Sequence, residues 1–145
     1  MNEIYSNLNN VRKDVSKFID NLDVKARRTR DQMMNALIQL SKEEVNEKRT
    51  VIGMTSTGNK IYERGTPGEP AHKRTGTLQR SITGKRAREG FASYTAIVGP
   101  GVIYGRRLEL GGGNWQSEVK YPYMQPAYIK FIPIAKKIIK KNLGI

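Results

Sequence analysis

Residues 4–22, IYSNLNNVRKDVSKFIDNL, decide the fold, because their apolar side chains recur at steps of four and three residues. That spacing places the apolar side chains along one face of an α-helix. The stripe consists of Ile4, Leu8, Val11, Val15, Phe18 and Leu22. Beyond residues 21–23, where the sequence allows a break, a similar stripe continues through Ala26, Met33, Leu37 and Leu40. The pattern predicts one long helix, or two helices end to end over residues 3–20 and 24–49.

The length of this helix has a consequence for the shape of the molecule. A helix over residues 24–49 alone would span about 40 Å. A compact chain of 145 residues has a radius of gyration of only about 15 Å. We therefore expect the helix to project from the body or to lie against a neighbouring subunit. The alternative is a helical hairpin that folds back onto the protein's own sheet.

The composition bounds the class of protein. A chain of 145 residues has the length of a single domain. Its mean hydropathy of −0.60 and its 37% of apolar residues are low for a compact monomer. It has no cysteine, which excludes disulfides, thiolate zinc sites and a thiol nucleophile. The single histidine, His72, cannot form a histidine-rich metal site. We expect a protein that is not an enzyme and that needs no cofactor and no metal.

Membrane insertion and secretion are also not expected. The apolar runs are far shorter than the roughly 20 residues that cross a bilayer. Residues around Glu3 are rich in asparagine and lack the basic-then-apolar plan of a signal peptide. The sequence thus predicts a soluble, intracellular protein with no membrane partner.

The net charge of +13, with an isoelectric point near 10.1, is unevenly distributed. Residues 1–50 carry 10 basic and 8 acidic side chains, whereas residues 51–145 carry 16 basic and 5 acidic ones. A balanced, charge-rich segment suits a solvated helix, and a cationic body suits a nearby polyanion. Nucleic acid is the default partner for a small protein with this charge.

The segment after the long helix is predicted to hold a small hairpin and a loop. Residues 51–54 and 60–62 flank Thr57-Gly58-Asn59, a sequence typical of a tight turn. Residues 65–70 are rich in proline and glycine and are incompatible with regular structure. We interpret the chain as a single domain, residues 1–145. It comprises a helical arm (1–50), a flexible basic loop or hairpin (51–75) and an α+β core (76–145).

Within the core, the order of patterns predicts helix, hairpin, helix and final helix. A short helix follows an N-cap hydroxyl from Thr75 or Thr77. Strands are predicted at residues 85–88 and 94–98, connected by residues 89–92, with Ala96 and Val98 on one face and Ile97 on the other. A helix at 103–110 and a possible strand at 118–121 follow.

The last predicted helix begins at Pro126 and runs to about Leu143. Pro133 predicts a kink, or a first turn set off from the rest. The predicted buried stripe of this helix is Ile129, Ile132, Ala135, Ile139 and Leu143, with lysines on the other side. The predicted class is α+β, a small antiparallel β-sheet packed by helices, with a long N-terminal helical arm and a C-terminal amphipathic helix.

No residue pattern supports catalysis. The three glycine clusters lack the strand, lysine and helix order of a phosphate-binding loop and are interpreted as turns. No spacing pairs any two of the candidate carboxylates Glu63, Glu69, Glu109 and Glu118 on one helical face. His72, beside Lys73 and Arg74, is interpreted as a solvated side chain.

Basic residues of the loop and the first strand are candidates for contact with a partner or with DNA phosphates. These candidates are Arg64, Lys73, Arg74, Arg80, Lys85 and Arg86. Aromatic residues are not interleaved with them as a base-stacking surface requires, and no helix-turn-helix or RNA-recognition signature is present. Non-specific DNA binding remains an open alternative function.

Three motifs occur in a recognisable order over roughly residues 70–143: RTGTLQRSI (74–82), YGRRLELG (104–111) and YPYMQPA (121–127). This succession resembles the small tail-completion, or head–tail joining, proteins of long-tailed double-stranded DNA bacteriophages. In that family the motifs have the form TG-x-L-x-x-S-I, Y-A-x-x-x-E-x-G and P-x-x-x-P-A. Gly105 stands where alanine is usual in that family, and the segment after Gly111 contains a longer run of glycine than is usual there.

The resemblance implies a structural virion protein without catalytic activity. Such proteins form rings, usually hexameric, in the neck or at the head-proximal tail end, where they join the DNA-filled head to the tail. The implied partners are other copies of the chain, tail-terminator, head-closure or tail-tube proteins, and packaged DNA passing through the ring.

Carried over to this sequence, the family's motif positions are structural. The first helix and its cap would be defined by Thr75, Gly76, Leu78, Ser81 and Ile82. The second helix would be oriented by Tyr104, Glu109 and Gly111, and the last would be started by Pro126 and Ala127. For contact with neighbouring molecules, the 51–75 loop and the helical arm are the predicted surfaces.

Overall fold

The computed structural model describes residues 2–45, 51–62, 67–69, 76–87, 93–111 and 120–144. The predicted α+β class is confirmed. In chain order the elements are α1 (Asn2–Glu44), β1 (Val51–Met54), β2 (Lys60–Tyr62), α2 (Thr77–Ser81), β3 (Ile82–Arg86), β4 (Ala96–Pro100), α3 (Ile103–Leu110) and α4 (Met124–Leu143).

The N-terminal helix α1 runs without a break for 43 residues. It is therefore about 65 Å long at roughly 1.5 Å per residue. The alternatives of two helices end to end and of a folded-back hairpin are wrong, because the helix continues through Asn21-Leu22-Asp23. Residues 46–49, where the helix was predicted to end, lie outside the described part of the chain.

The predicted hairpin at residues 51–62 is present. β1 and β2 pair antiparallel, with Met54 opposite Lys60 and Gly53 opposite Ile61. The turn is held by the Thr55 backbone N–H, which donates to the Asn59 carbonyl at 2.8 Å. In the loop that follows, only residues 67–69 are described, and the Gly68 N–H donates to the Lys120 carbonyl at 2.8 Å.

A second antiparallel pair, β3 and β4, forms the inner sheet, with Ile82 opposite Pro100 and Arg86 opposite Ala96. β3 begins three residues and ends two residues earlier than predicted, because α2 leads directly into it at the fully buried Ile82. β4 begins and ends two residues later than predicted. The predicted alternation is confirmed: Ala96 and Val98 are half-buried and Ile97 is exposed. Residues 89–92, the predicted connection, and residue 88, the predicted strand end, lie outside the described residues.

The cap of α2 differs from the prediction. Gly76 occupies the N-cap position with a left-handed backbone (φ 73°), and no side chain caps the helix. The left-handed conformation favours glycine because a Cβ would clash with the backbone there. Thr77 is already the first helical residue, so its predicted capping role is wrong, and Thr75 is not described. The Ser81 hydroxyl donates back to the Leu78 carbonyl at 2.7 Å.

Glu109, at the end of α3, caps the N-terminus of α4. Its Oε2 accepts the backbone N–H groups of Tyr123 at 2.7 Å and Met124 at 2.8 Å, and its Oε1 accepts that of Gln125 at 2.8 Å. A carboxylate here satisfies donors that the helix leaves unpaired and lies at the positive end of the helix dipole. Glu109 thereby fixes the angle between α3 and α4.

The start of α4 follows from this cap. The helix begins at Met124, two residues before the predicted Pro126, which lies in the first turn where a missing N–H costs nothing. Just before it, the Tyr121 N–H donates to the Leu108 carbonyl at 2.8 Å. Residues 120 and 121 are therefore not part of a third strand, and residues 118 and 119 are outside the described chain.

The buried face of α4 was predicted only in part. Ala127, Phe131 and Ala135 are buried, whereas Ile129 is 61% exposed and Ile132 is also exposed. The prediction placed the isoleucines in the buried stripe because they are the more apolar residues. The row that packs against α1 is instead Ala127, Phe131 and Ala135, at positions i, i+4 and i+8. The helix continues unbroken through Pro133 to Leu143.

A small core joins these elements. Val45, Leu78, Ile82 and Tyr123 form a buried cluster. Tyr123 is fully buried, and its hydroxyl donates to the Gly105 carbonyl at 3.2 Å. Burial raises the pKa of this hydroxyl far above its ordinary value, and the nearby Glu109 and Tyr104 raise it further. The second half of α1 packs across α4, β3 and β4. The long helices α1 and α4 and the short elements α2, β3 and β4 thus share one interior.

The Glu109 cap makes a stability prediction. We expect Glu109→Gln to lower the free energy of unfolding by about 1–2 kcal/mol, because the three N–H groups lose a charged acceptor. Urea denaturation followed by circular dichroism measures the change. Glu43→Gln, an exposed carboxylate on α1, is the matched control and should shift the midpoint little. Equal losses in both variants would contradict the capping role.

The glycine at position 105 also has a structural reason. A Cβ there would lie 2.6 Å from Pro100 Cβ and 3.0 Å from Leu78 Cδ1. We expect Gly105→Ala to destabilise the protein by about 1–3 kcal/mol through overpacking, although alanine is the better helix former. Gly99→Ala, where a Cβ meets nothing within 4 Å, should change thermal stability little. A Gly105→Ala protein as stable as the parent would contradict this contact.

Candidate functional site

The first half of α1 is a helix whose apolar face has no partner within the described chain. We call residues 2–22 the arm; its described side chains, residues 8–22, are all exposed. They include six large apolar ones, of which Phe18 is 63% and Val15 52% exposed: Leu8, Val11, Val15, Phe18, Ile19 and Leu22. Because they share one helical face, they form a continuous apolar stripe.

The arm ends where α1 first contacts the body, at Asp23. The Tyr94 hydroxyl donates to the Asp23 carboxylate, and Arg27 Nε lies 2.7 Å from its other oxygen. The hydrogen bond from Tyr94, with the charge of Arg27, lowers the pKa of Asp23, although burial opposes this. A carboxylate that is more acidic than usual stays ionised and keeps both bonds at neutral pH.

Polar bonds then fasten the second half of α1 along its length. Arg86 Nη2 lies 2.6 Å from Asp31 Oδ2, and Asn142 Nδ2 donates to Gln32 Oε1 at 2.7 Å. Burial opposes ionisation of Asp31, but hydrogen bonds from Arg30 and Arg86 outweigh it and lower its pKa. Near the end of the helix, Gln79 Nε2 donates to the Lys42 carbonyl at 3.0 Å, and Lys130 pairs with Glu44. The body therefore holds α1 firmly from residue 23 onward.

An open apolar groove of about 450 Å³ lies between α1, β4 and α4. We call it the α1–α4 groove. Its walls include Ala26, Met33, Leu37, Ala96, Phe131 and Leu143. No other described segment fills this mainly apolar groove, and it begins one helical turn beyond the arm.

The predicted cationic contacts are only partly described. Arg80 on α2 and Lys85 on β3 are exposed, whereas Arg86 is paired with Asp31. Arg64, Lys73 and Arg74 lie outside the described residues. On α4, four of the lysines predicted to lie opposite the buried stripe are exposed: Lys136, Lys137, Lys140 and Lys141.

The three motifs meet in space around the core. Leu78 and Ile82 of the first motif are buried, and Gly76 and Ser81 flank them at the ends of α2. From the second motif, Glu109 acts on α4 rather than on its own helix, Gly111 ends α3, and Tyr104 is exposed. From the third, Pro126 is half-buried in the first turn of α4 and Ala127 is fully buried.

Within the described chain, no group of three or more His, Cys, Asp or Glu side chains is close enough to hold a metal ion. Of the candidate carboxylates, Glu109 caps α4 and Glu69 is exposed, while Glu63, Glu118 and His72 are not described. None of the described helices is both long and apolar enough to span a membrane.

Comparison with known proteins gives no relative. No protein-family model matches the chain, and no match is found among curated proteins or among solved structures. The arm, the α1–α4 groove and the motif geometry are therefore the observations from which function is argued.

The arm makes a prediction about assembly. Val15→Asp should weaken self-association at least ~10-fold, equivalent to about 1.4 kcal/mol, and should leave the fold intact, because Val15 is 52% exposed and lies outside the buried core. Asn10→Asp adds the same charge on the opposite side of the arm and is the control. Analytical ultracentrifugation measures association, and circular dichroism measures folding. Unfolding of Val15→Asp would show instead that the arm is part of the monomer's core.

Proposed function

We propose that this protein is a structural virion component of a tailed bacteriophage. It acts as a tail-completion, or neck, protein that joins the tail to the DNA-filled head. Copies of the chain form a ring, with the six-fold symmetry that the motif resemblance implies. The protein has no catalytic role and works in the virion after assembly in the host cytoplasm.

The apolar stripe of the arm is the observation that carries this proposal. The arm exposes six large apolar side chains to water, which is unfavourable. This cost disappears when another copy covers the stripe. A contact between two different surfaces of identical copies closes into a ring when the rotation allows it.

The geometry of the motifs supports the same proposal. The three motifs that carry the resemblance are far apart in sequence, yet their residues pack together: Ile82 beside Tyr123, the Tyr123 hydroxyl on Gly105, and Glu109 on the start of α4. The motif residues that make these contacts depend on one another for the fold. Agreement at three separate segments is a stronger argument than any one of the short motifs.

The charge of the body fits a position near the genome. The exposed lysines of α4 and Lys85 offer cations to phosphates of DNA passing through a ring. The same cations suit acidic surfaces of tail-terminator, head-closure or tail-tube proteins, the neighbours that a neck protein contacts.

Non-specific DNA binding is the second candidate, and one observation favours it. Lys136, Lys137, Lys140 and Lys141 are all exposed on one stretch of α4, and the chain carries a net charge of +13. A free DNA binder would use these lysines on duplex DNA and lose affinity steeply as salt rises. A neck protein would instead associate with copies of itself and hold DNA weakly.

Disruption of the gene in the encoding phage tests the proposal. Negative-stain microscopy of lysates should show full heads separated from unattached or malformed tails, because the joining ring is missing. Supplying the wild-type chain or Asn10→Asp in trans should restore joined particles, and Val15→Asp should restore few.

Normal particles from the disrupted phage would overturn the neck function. In that case, binding of the purified chain to duplex DNA across a salt series would decide for the second candidate. Tight binding at moderate ionic strength with a steep loss at higher salt would establish it.

A further inference from the structure

Two apolar surfaces, the stripe of the arm and the α1–α4 groove, have no partner within the part of the chain that the structure describes. Counted at 100° per residue, Val15, Ile19 and Leu22 of the arm share a face of α1 with Ala26 and Met33, which line the α1–α4 groove. We propose that the arm of one copy lies in the α1–α4 groove of another copy. This inference rests on the self-assembly in the proposed function and names the surfaces that perform it.

The arm cannot fill the groove of its own chain. Because α1 is one continuous helix from Asn2 to Glu44, residues 8–22 extend away from the groove, which begins at Ala26. Folding the arm back would require breaking the helix at residues 22–26, where the Tyr94–Asp23 and Arg27–Asp23 bonds hold it. A second copy is therefore the source of an arm that can reach the groove.

The dimensions of the two surfaces match. The stripe from Leu8 to Leu22 is about 21 Å long, and the groove follows α4 from Tyr128 to Leu143 for about 22 Å. Covering the six apolar side chains would bury on the order of 500 Å² of the arm, a large share of the ~800 Å² per partner in a standard specific interface. Two methionines, Met33 and Met34, line the groove and can adapt to the shape of an inserted helix.

The charges favour this occupant over nucleic acid. Residues 1–22 contain three basic and three acidic side chains, so the arm has no net charge and the whole +13 belongs to the rest of the chain. A neutral helix approaches a cationic body without electrostatic repulsion and has no attraction for DNA. Most side chains that line the groove are apolar, and Arg30, the cation among them, is paired with Asp31.

A photo-crosslinking experiment tests the arrangement. Phe18, exposed in the stripe, is replaced by the photoreactive amino acid p-benzoylphenylalanine in the full chain. Equal amounts of unlabelled and ¹⁵N-labelled protein are mixed, irradiated and analysed by mass spectrometry. The same replacement at Lys13, on the opposite side of the arm, is the control.

We expect crosslinked peptides of mixed isotope content that join position 18 to groove segments, residues 26–37, 94–98 or 128–143. The yield should be several-fold higher than from position 13. Crosslinks between position 18 and the arm of another copy would overturn the proposal in favour of arm–arm pairing. Mixed-isotope crosslinks that are absent, or equal from both positions, would also overturn it. The proposed neck function fails only in the gene-disruption experiment, so the two failures are distinguishable.

Discussion

The stiffness of α1 is the constraint on which the rest of the structure depends. One unbroken helix of 43 residues is far longer than the body that it crosses. Its second half supplies the surface on which α4, β3 and β4 pack, so the short strands β3 and β4 need not belong to a larger sheet. Its first half is carried outward by the same rigidity. The body and the exposed arm are thus two consequences of one helix.

Glu109 is the second organising contact. Its carboxylate accepts hydrogen bonds from the backbone N–H groups of Tyr123, Met124 and Gln125, and these bonds hold the start of α4. Tyr123 is buried beside this cap, with its hydroxyl on the Gly105 carbonyl. These contacts lie at the start of α4, the helix that forms one wall of the α1–α4 groove.

Charge is segregated along the chain in a way that suits two kinds of contact. The arm is neutral and amphipathic, which suits protein–protein packing, while the body bears exposed lysines on α4. In a ring, such a division lets copies hold one another through apolar surfaces and leaves the cations for DNA or acidic neighbours. The two proposed kinds of contact would therefore use different side chains.

The sequence by itself determined the elements whose signal is local. The four–three spacing predicted α1, alternation predicted the inward Ala96 and Val98, and glycine and proline marked the ends of α3 and the first turn of α4. Tertiary structure alone decided the rest: which row of α4 is buried, that Gly76 rather than a threonine caps α2, that Glu109 serves the next helix, and that a groove lies beside the arm. Each of these depends on a neighbour distant in sequence, and no periodicity within a segment records where that neighbour lies.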